Sequence, residues 1–305
     1  MPIALEPARS AALWRLPSRT VELGRRTLVM GIVNLTPDSF SDGGSHPTVE
    51  AAVAHALRLL DEGADILDLG AESTRPGSHA GGPDAAVDAA EEQDRLLPAL
   101  EAILRERPGT LISIDTYKAA TARAALTAGA EIINDVSGFA WDAAMPAVCA
   151  ESGCGLVLMH TRGQPDEWST QPPITPEALF TAVRAGLDAS LTAATSAGIL
   201  ADAIVLDPGY GFGKRGDENF SLLARQHGLL TLGRPLLAGL SRKSFLGHTL
   251  ADLHGGMPAP VSARENASLA ALVAAILKGA SIVRVHSVRP AVEAARTADA
   301  LINAL

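Results

Sequence analysis

The chain reads as a single-domain α/β protein, a (β/α)8 TIM barrel, and three observations carry that expectation. Eight short apolar runs alternate with eight stretches of helical periodicity. Each apolar run stops at a polar or charged residue, as strands do when they present functional groups at their carboxyl ends. The length of 305 residues, 47% of them hydrophobic, suits one barrel, which commonly takes about 250 residues. An open, doubly wound sheet is the structural rival for the same alternation.

The elements follow in order. Residues 1–20 carry Arg9, Arg15 and Arg19 among alanines and serines and lack the continuous apolar core of a secretory signal. They are expected to be a frayed N-terminal extension, with the barrel over 21–305. Strand 27–33 ends at Asn34, and the loop through Thr36, Pro37, Asp38, Ser39, Phe40, Ser41, Asp42 and Gly43 is richer in hydrogen-bonding groups than a plain connection needs. Helix 49–62 is capped by Thr48 and stopped at Gly63. Strand 66–70 leads into Glu72-Ser73-Thr74-Arg75 and helix 84–106. Strand 111–115 delivers Asp115 ahead of helix 118–128 and Gly129. Strand 131–134 ends in Asn134-Asp135, before helix 142–152 and Gly153. Strand 155–160 carries Met159 and His160, followed by Arg162 and by helix 176–197, which Thr175 caps and Gly198 ends. Strand 203–206 ends at Asp207, and a Gly-rich loop precedes helix 217–227 and Gly228. Strand 235–239 runs into Ser241-Arg242-Lys243-Ser244, then helix 264–278 between Ser262 and Gly279. Strand 281–286 bears Arg284 and His286 and precedes helix 291–303.

Composition excludes several function classes. A formal charge of -9 argues against a general nucleic-acid binder. The most apolar stretch, 267–277, is about half the length a membrane span needs and closes at Lys278, so no membrane association is expected. Cys149 and Cys154 match no zinc spacing and read as reduced, partly buried thiols in a cytoplasmic protein.

Polar groups from eight strand ends on one rim are costly to bury without partners, so a pocket there is the better account of them than isolated structural groups. Two carboxylates (Asp115, Asp207) and an amide (Asn134) suit the edge of a flat heterocycle with adjacent donors and acceptors. The cations Arg75, Lys243 and Arg284 suit a phosphate or diphosphate. Asn34 offers one oxygen to a hydrated magnesium that takes most of its ligands from phosphate. A ring of interstrand ion pairs is the alternative for the charged groups.

The run 207–216 raises two nucleotide-binding leads and fails both. In the P-loop register set by Gly213-Lys214, Arg215 stands where Ser or Thr is needed and Pro208 where the first glycine is. Gly211, Gly213 and Gly216 match the dinucleotide spacing, but they begin several residues after the strand and no acidic residue follows between Glu218 and Asp252. The reading left is a flexible Gly-rich loop, with Phe212 free to pack on a bound ring.

The segments 31–44 (GIVNLTPDSFSDGG), 63–77 (GADILDLGAESTRPG), 112–118 (ISIDTYK), 133–138 (INDVSG), 206–214 (LDPGYGFGK), 241–247 (SRKSFLG) and 282–286 (IVRVH) together closely resemble the dihydropteroate synthases of folate biosynthesis. The resemblance spans nearly the whole chain, in order, one motif to a strand. It implies the barrel, and a transferase that joins p-aminobenzoate to 7,8-dihydropterin-6-ylmethyl diphosphate through a pterin-methyl cation, releasing diphosphate. It implies Asp115, Asn134, Met159, Asp207, Phe212, Lys243 and Arg284 around the pterin, with Asp115, Lys243 and Asp207 as the catalytic groups. It implies Asn34, Arg75, Arg284 and His286 around the diphosphate, with Asn34 touching Mg2+. Phe40, Thr74, Pro76 and Ser244 would frame the p-aminobenzoate, where sulfonamides compete. The first two loops would act as lids, and a homodimer would form through the last helices.

Two positions depart from the family pattern. Ser287 follows His286 where aspartate is usual, and Trp168-Ser169 stand where Met-Gln is commoner. Trp168 reads as a packing residue. Three other functions compete: a corrinoid-linked pterin methyltransferase, a paralogue that binds pterin without turnover, and a non-catalytic binding barrel.

Overall fold

The structure is a computed structural model that describes residues 9–36, 49–73, 78, 80–81 and 87–304. Two short strands, β1 (Ala12–Arg15) and β2 (Thr20–Leu23), precede the barrel strands β3 (Leu28–Asn34), β4 (Ile66–Gly70), β5 (Ile112–Asp115), β6 (Ile132–Asp135), β7 (Gly155–Met159), β8 (Ile204–Asp207), β9 (Leu236–Ala238) and β10 (Ala280–Val285). The helices are α1 (Val49–Asp61), α2 (Ala89–Glu106), α3 (Ala119–Thr127), α4 (Met145–Ser152), α5 (Pro176–Ser196), α6 (Gly216–Arg225), α7 (Ser244–Thr249), α8 (Glu265–Leu277) and α9 (Val288–Asn303). β3 to β10 pair in parallel and close on themselves, β10 against β3. The closed barrel excludes the open doubly wound sheet.

The strands are short and apolar because both faces are covered. Successive side chains point to opposite faces, so every second residue enters the barrel. Leu28, Met30, Ile66, Leu111, Ile132, Val157, Val205, Leu237 and Ile282 form one packed layer inside its lower end. The alternate residues, among them Val29, Leu67, Ile133 and Leu206, pack outward against the helices. One step further along the inward face, apolar residues give way to Asp68, Ser113, Asn134 and Arg284. That change of layer positions the site.

The frayed extension expected over 1–20 is replaced, within its described part, by a folded plug. β1 and β2 pair antiparallel, Ala12 opposite Leu23. Trp14, Leu16 and Leu23 join the lower interior layer, and Trp14 donates its indole N–H to the carbonyl of Ala203 at 2.8 Å. Gly155, the first residue of β7, makes room for them: a Cβ there would stand 2.2 Å from Leu16 Cδ2. Arg9 is buried, donating to the Gly24 and Ala280 carbonyls and pairing with Asp299 of α9. A string of arginines and small residues gives no apolar period from which this plug could be read.

Smaller differences have local causes. α7 is an added short helix after β9. Gly228 lies inside a 3-10 turn, Gln226–Leu232, which ends at left-handed Gly233 instead. Ser262 sits in another 3-10 turn, and α8 starts after Arg264 without a side-chain cap. Thr175 caps α5 as expected, accepting from the Ala178 N–H at 3.3 Å. Cys149 and Cys154 are buried free thiols. Among the described residues, no helix is long and apolar enough to cross a membrane. Phe40, Thr48, Thr74, Arg75 and Pro76 lie outside the described residues.

Candidate active site

The site begins with a carboxylate that sequence reasoning passed over. Asp68, in the middle of β4, is fully buried. It accepts from Ser113 Oγ at 2.6 Å, Asn134 Nδ2 at 3.2 Å and Arg284 Nε at 2.5 Å, so four strands meet on one acid. The signal was there: a charged residue inside an otherwise apolar strand is tolerated only when partners satisfy it. Arg284 then turns its Nη2 to Asp115, again at 2.5 Å. Two carboxylates hold the Arg284 guanidinium firmly in its charged form, against the opposing effect of burial. The interstrand ion pairs weighed as an alternative are therefore real, and they form the floor of the site.

Asp115 lies opposite Asn134 on adjacent strands, and Asp207 opposite Met159. Burial pushes the Asp115 carboxyl up to about 7, with Asp68 and Glu92 adding to the rise while Arg284 and Lys243 oppose it. Asp207 is raised by burial too, against a hydrogen bond of 2.7 Å from the Gly209 N–H. Lys243 follows β9 with its Nζ 3.9 Å from the centre of the Phe212 ring. Burial and the nearby Arg284 bring its ammonium down to about 8. Asp115, Asn134, Met159 and Asp207 thus share one sector, β5 to β8, with Phe212 packed on the cluster that holds Met159 and Lys243 close enough to Asp115 and Asp207 to feel their charge.

The loop that carries Phe212 is pinned, not flexible. Lys214 is buried and donates to three backbone carbonyls, Gly209 at 2.7 Å, His160 at 3.1 Å and Phe212 at 3.2 Å. The Asn219 amide accepts from Gly211 N–H at 2.7 Å and donates to the Lys214 carbonyl at 3.0 Å. Gly209 has φ +70, and a Cβ there would stand 2.0 Å from the His160 carbonyl oxygen. Trp168 is buried edge-on to Phe212, ring centres 5.1 Å apart, which agrees with a packing role.

On the opposite sector, Asn34 ends β3, and His286 follows β10, the strand paired with it. His286 Nδ1 meets Ser241 Oγ at 3.0 Å. Ser244, the first residue of α7, is exposed. Among the described residues, no cluster of three or more His, Cys, Asp or Glu is placed to hold a metal. A lone asparagine oxygen fits magnesium only in the manner expected, with phosphate and water as the other ligands.

Three polar strand ends belong elsewhere. Asp135 accepts from the Ser137 and Phe139 N–H groups and closes its own loop. His160 lies against Gly186 of α5, and burial lowers its imidazole to about 2, so it stays neutral. Arg162 faces Glu218 at 3.4 Å. Asp135 and His160 directly follow inward residues, Asn134 and Met159, so the strand period of 2 turns them outward.

The sequence pattern of the pterin binding enzymes matches residues 30–286. The dihydropteroate synthase of Bacillus subtilis is 40% identical over 278 residues, which are 91% of this chain and 90% of that protein. A mitochondrial folate synthesis bifunctional protein of Pisum sativum is 39% identical over 294 residues, covering 93% of this chain and 55% of that one. The chain therefore spans about half of that bifunctional relative. A crystal structure of the Xanthomonas albilineans dihydropteroate synthase with 4-aminobenzoic acid superposes with a TM-score of 0.83 at 40% identity, covering 96% of this chain and 98% of that one.

Proposed function

The chain belongs to the pterin-binding enzyme family, and from that membership we propose that it is a transferase joining p-aminobenzoate to 7,8-dihydropterin-6-ylmethyl diphosphate to form dihydropteroate and diphosphate. The observation that carries this reading is the set of Asp115, Asn134 and Asp207 on one sector, with a lysine over an aromatic ring beside it. Such a set fits a flat, nitrogen-rich ring whose N–H groups need acceptors and whose carbonyl needs a donor.

In this mechanism Asp115, Asn134 and Asp207 hold the pterin edge, Met159 lines its floor, and Lys243 and Phe212 cover it. Arg284 and His286, with Asn34 and Arg75, hold the diphosphate. Asn34 would help to hold magnesium, which would supply charge neutralisation for the departing diphosphate. Asp115 and Asp207, as anions, stabilise positive charge growing on the pterin-methyl carbon as the C–O bond breaks. The arylamine then attacks that carbon, so no protein nucleophile is required. Thr74, Pro76, Phe40 and Ser244 frame the p-aminobenzoate and exclude water from the cation. Sulfonamide competition is expected at that subsite.

A homodimer is also proposed. Leu269, Val273 and Leu277 of the apolar helix α8 stay half-buried, and Leu253, Met257 and Val261 just before it are exposed. We place the protein in the cytoplasm, in keeping with its buried free thiols.

The test is diphosphate release from the pterin diphosphate and magnesium, with and without p-aminobenzoate, with dihydropteroate identified by mass. Product only when both substrates are present supports the synthase. Tight pterin binding without product would favour a paralogue that binds and does not turn over, and no binding would remove the reading altogether.

A further inference from the structure

Arg242 is one of two described non-glycine residues, with Phe139, held in a conformation ordinarily left to glycine, with φ 60. Its neighbours in the chain are both site groups. Ser241 Oγ meets the His286 imidazole at 3.0 Å, and Lys243 Nζ lies over Phe212. Whatever fixes Arg242 therefore fixes two site side chains at once.

The clamp comes from α8 and the turn before it. Ser268 Oγ accepts the Arg242 N–H at 2.9 Å, and Arg264 Nη1 donates to the Arg242 carbonyl at 3.0 Å. The Arg242 side chain is held by a third contact. Its Nη2 donates to Ser287 Oγ at 3.1 Å, and that hydroxyl donates to Glu265 Oε2 at 3.0 Å. The same carboxylate oxygen stands 3.8 Å from Arg242 Nε. Ser287 has no charge to offer the guanidinium, and Glu265 supplies it from the first turn of α8. Among the described residues, the Arg242 guanidinium without Glu265 would keep a neutral hydroxyl, Ser287 Oγ, as its side-chain partner.

We propose that Glu265 is a positioning residue of the proposed reaction: through Ser287 it holds Arg242, and through Arg242 it sets Ser241 against His286 and Lys243 over Phe212. This rests on the proposed transferase reading for its kinetic readout, and on the geometry alone for its binding readout. Arg242 and Glu265 keep side-chain exposures of 37% and 33%, so their pairing contributes little to folding and variants should remain folded.

The experiment compares Glu265→Ala, Glu265→Gln and Glu265→Ala with Ser287→Asp against the wild type. The readouts are thermal unfolding, calorimetric binding of inorganic diphosphate, and kcat and KM for the pterin diphosphate. Glu265→Ala should weaken diphosphate binding and lower kcat/KM by about tenfold, the scale of losing one charge-assisted contact, with unfolding nearly unchanged. Ser287→Asp should restore both in that background to within about threefold, because a carboxylate there meets the same guanidinium directly. Unchanged binding and kinetics in folded Glu265→Ala would overturn the proposal, as would a loss that Ser287→Asp does not repair. Should Glu265→Ala fail to fold, Glu265→Gln decides the matter by the same criteria, with Ser287→Asp added to it. Absence of product from the wild type would count against the proposed reaction, while the order of diphosphate affinities among the variants would still test the clamp.

Discussion

Asp115 concentrates the electrostatics of the site in one side chain. Its carboxyl is raised to about 7 and the Lys243 ammonium is lowered to about 8, both chiefly by burial. If the Asp115 anion and the Lys243 cation are the working forms, kcat/KM should climb as pH rises through about 7 and fall beyond about 8. Asp115→Asn should abolish the acidic limb and cut kcat by about 10²–10³-fold. It should not unfold the protein. A carboxyl whose folded value lies above its unfolded one binds its proton more tightly when folded, so its stability contribution is complete at low pH and declines as pH rises toward 7. Asn removes that penalty, and the melting temperature at pH 8 should match or exceed that of the wild type. A variant that is inactive and unfolded would leave no case for a catalytic Asp115.

The loop between β8 and α6 shows how an element turns glycine content into rigidity. Flexibility is what such a stretch suggests when read alone, yet here the backbone carbonyls converge on Lys214 and Gly211 is tied to Asn219. Lys214→Met would leave three carbonyls without their donor, at a cost of about 2–4 kcal/mol. Pterin affinity should fall at least tenfold while the fold survives, as measured by calorimetry and circular dichroism. Gly209→Ala tests the same platform from the backbone side, since its Cβ would meet the His160 carbonyl. Melting should drop by the equivalent of about 2–4 kcal/mol, from a strained φ plus a clash that must be relieved. Normal pterin affinity in both variants would show that the platform does not set the site.

At the scale of the molecule, the barrel separates stability from function along its axis. The lower end is filled by Trp14, Leu16 and Leu23 from the hairpin, while the polar layer and the site occupy the upper end. Trp14→Ala should therefore cost about 3–5 kcal/mol, as large core truncations do, and leave KM for the pterin diphosphate unchanged in the folded fraction. Denaturant melts and steady-state kinetics on one preparation would check it, and a change in KM would mean that the plug reaches the site. The buried Arg9–Asp299 pair ties the same hairpin to α9. Sedimentation of the intact chain tests the proposed dimer.

The barrel was legible in the chain because it is a local property repeated eight times: apolar runs of strand length, helical periods, and a polar residue at each strand end. Asp115, Asn134, Asp207, Lys243 and Arg284 were legible for the same reason, as strand-end groups carried in recognisable motifs. What the chain alone left out was pairing across distance. Asp68 looked like one polar residue in a strand until four strands closed around it. Lys214 reads as part of a flexible Gly-rich loop, and residues 1–20 as a frayed extension, because the His160 carbonyl that helps pin the first and the barrel interior that packs the described part of the second lie far off in sequence. Only closure of the barrel decides which side of a strand faces inward, which carboxylate shares a guanidinium, and which helix supplies the acid beside Arg242, since those contacts join residues up to 216 positions apart.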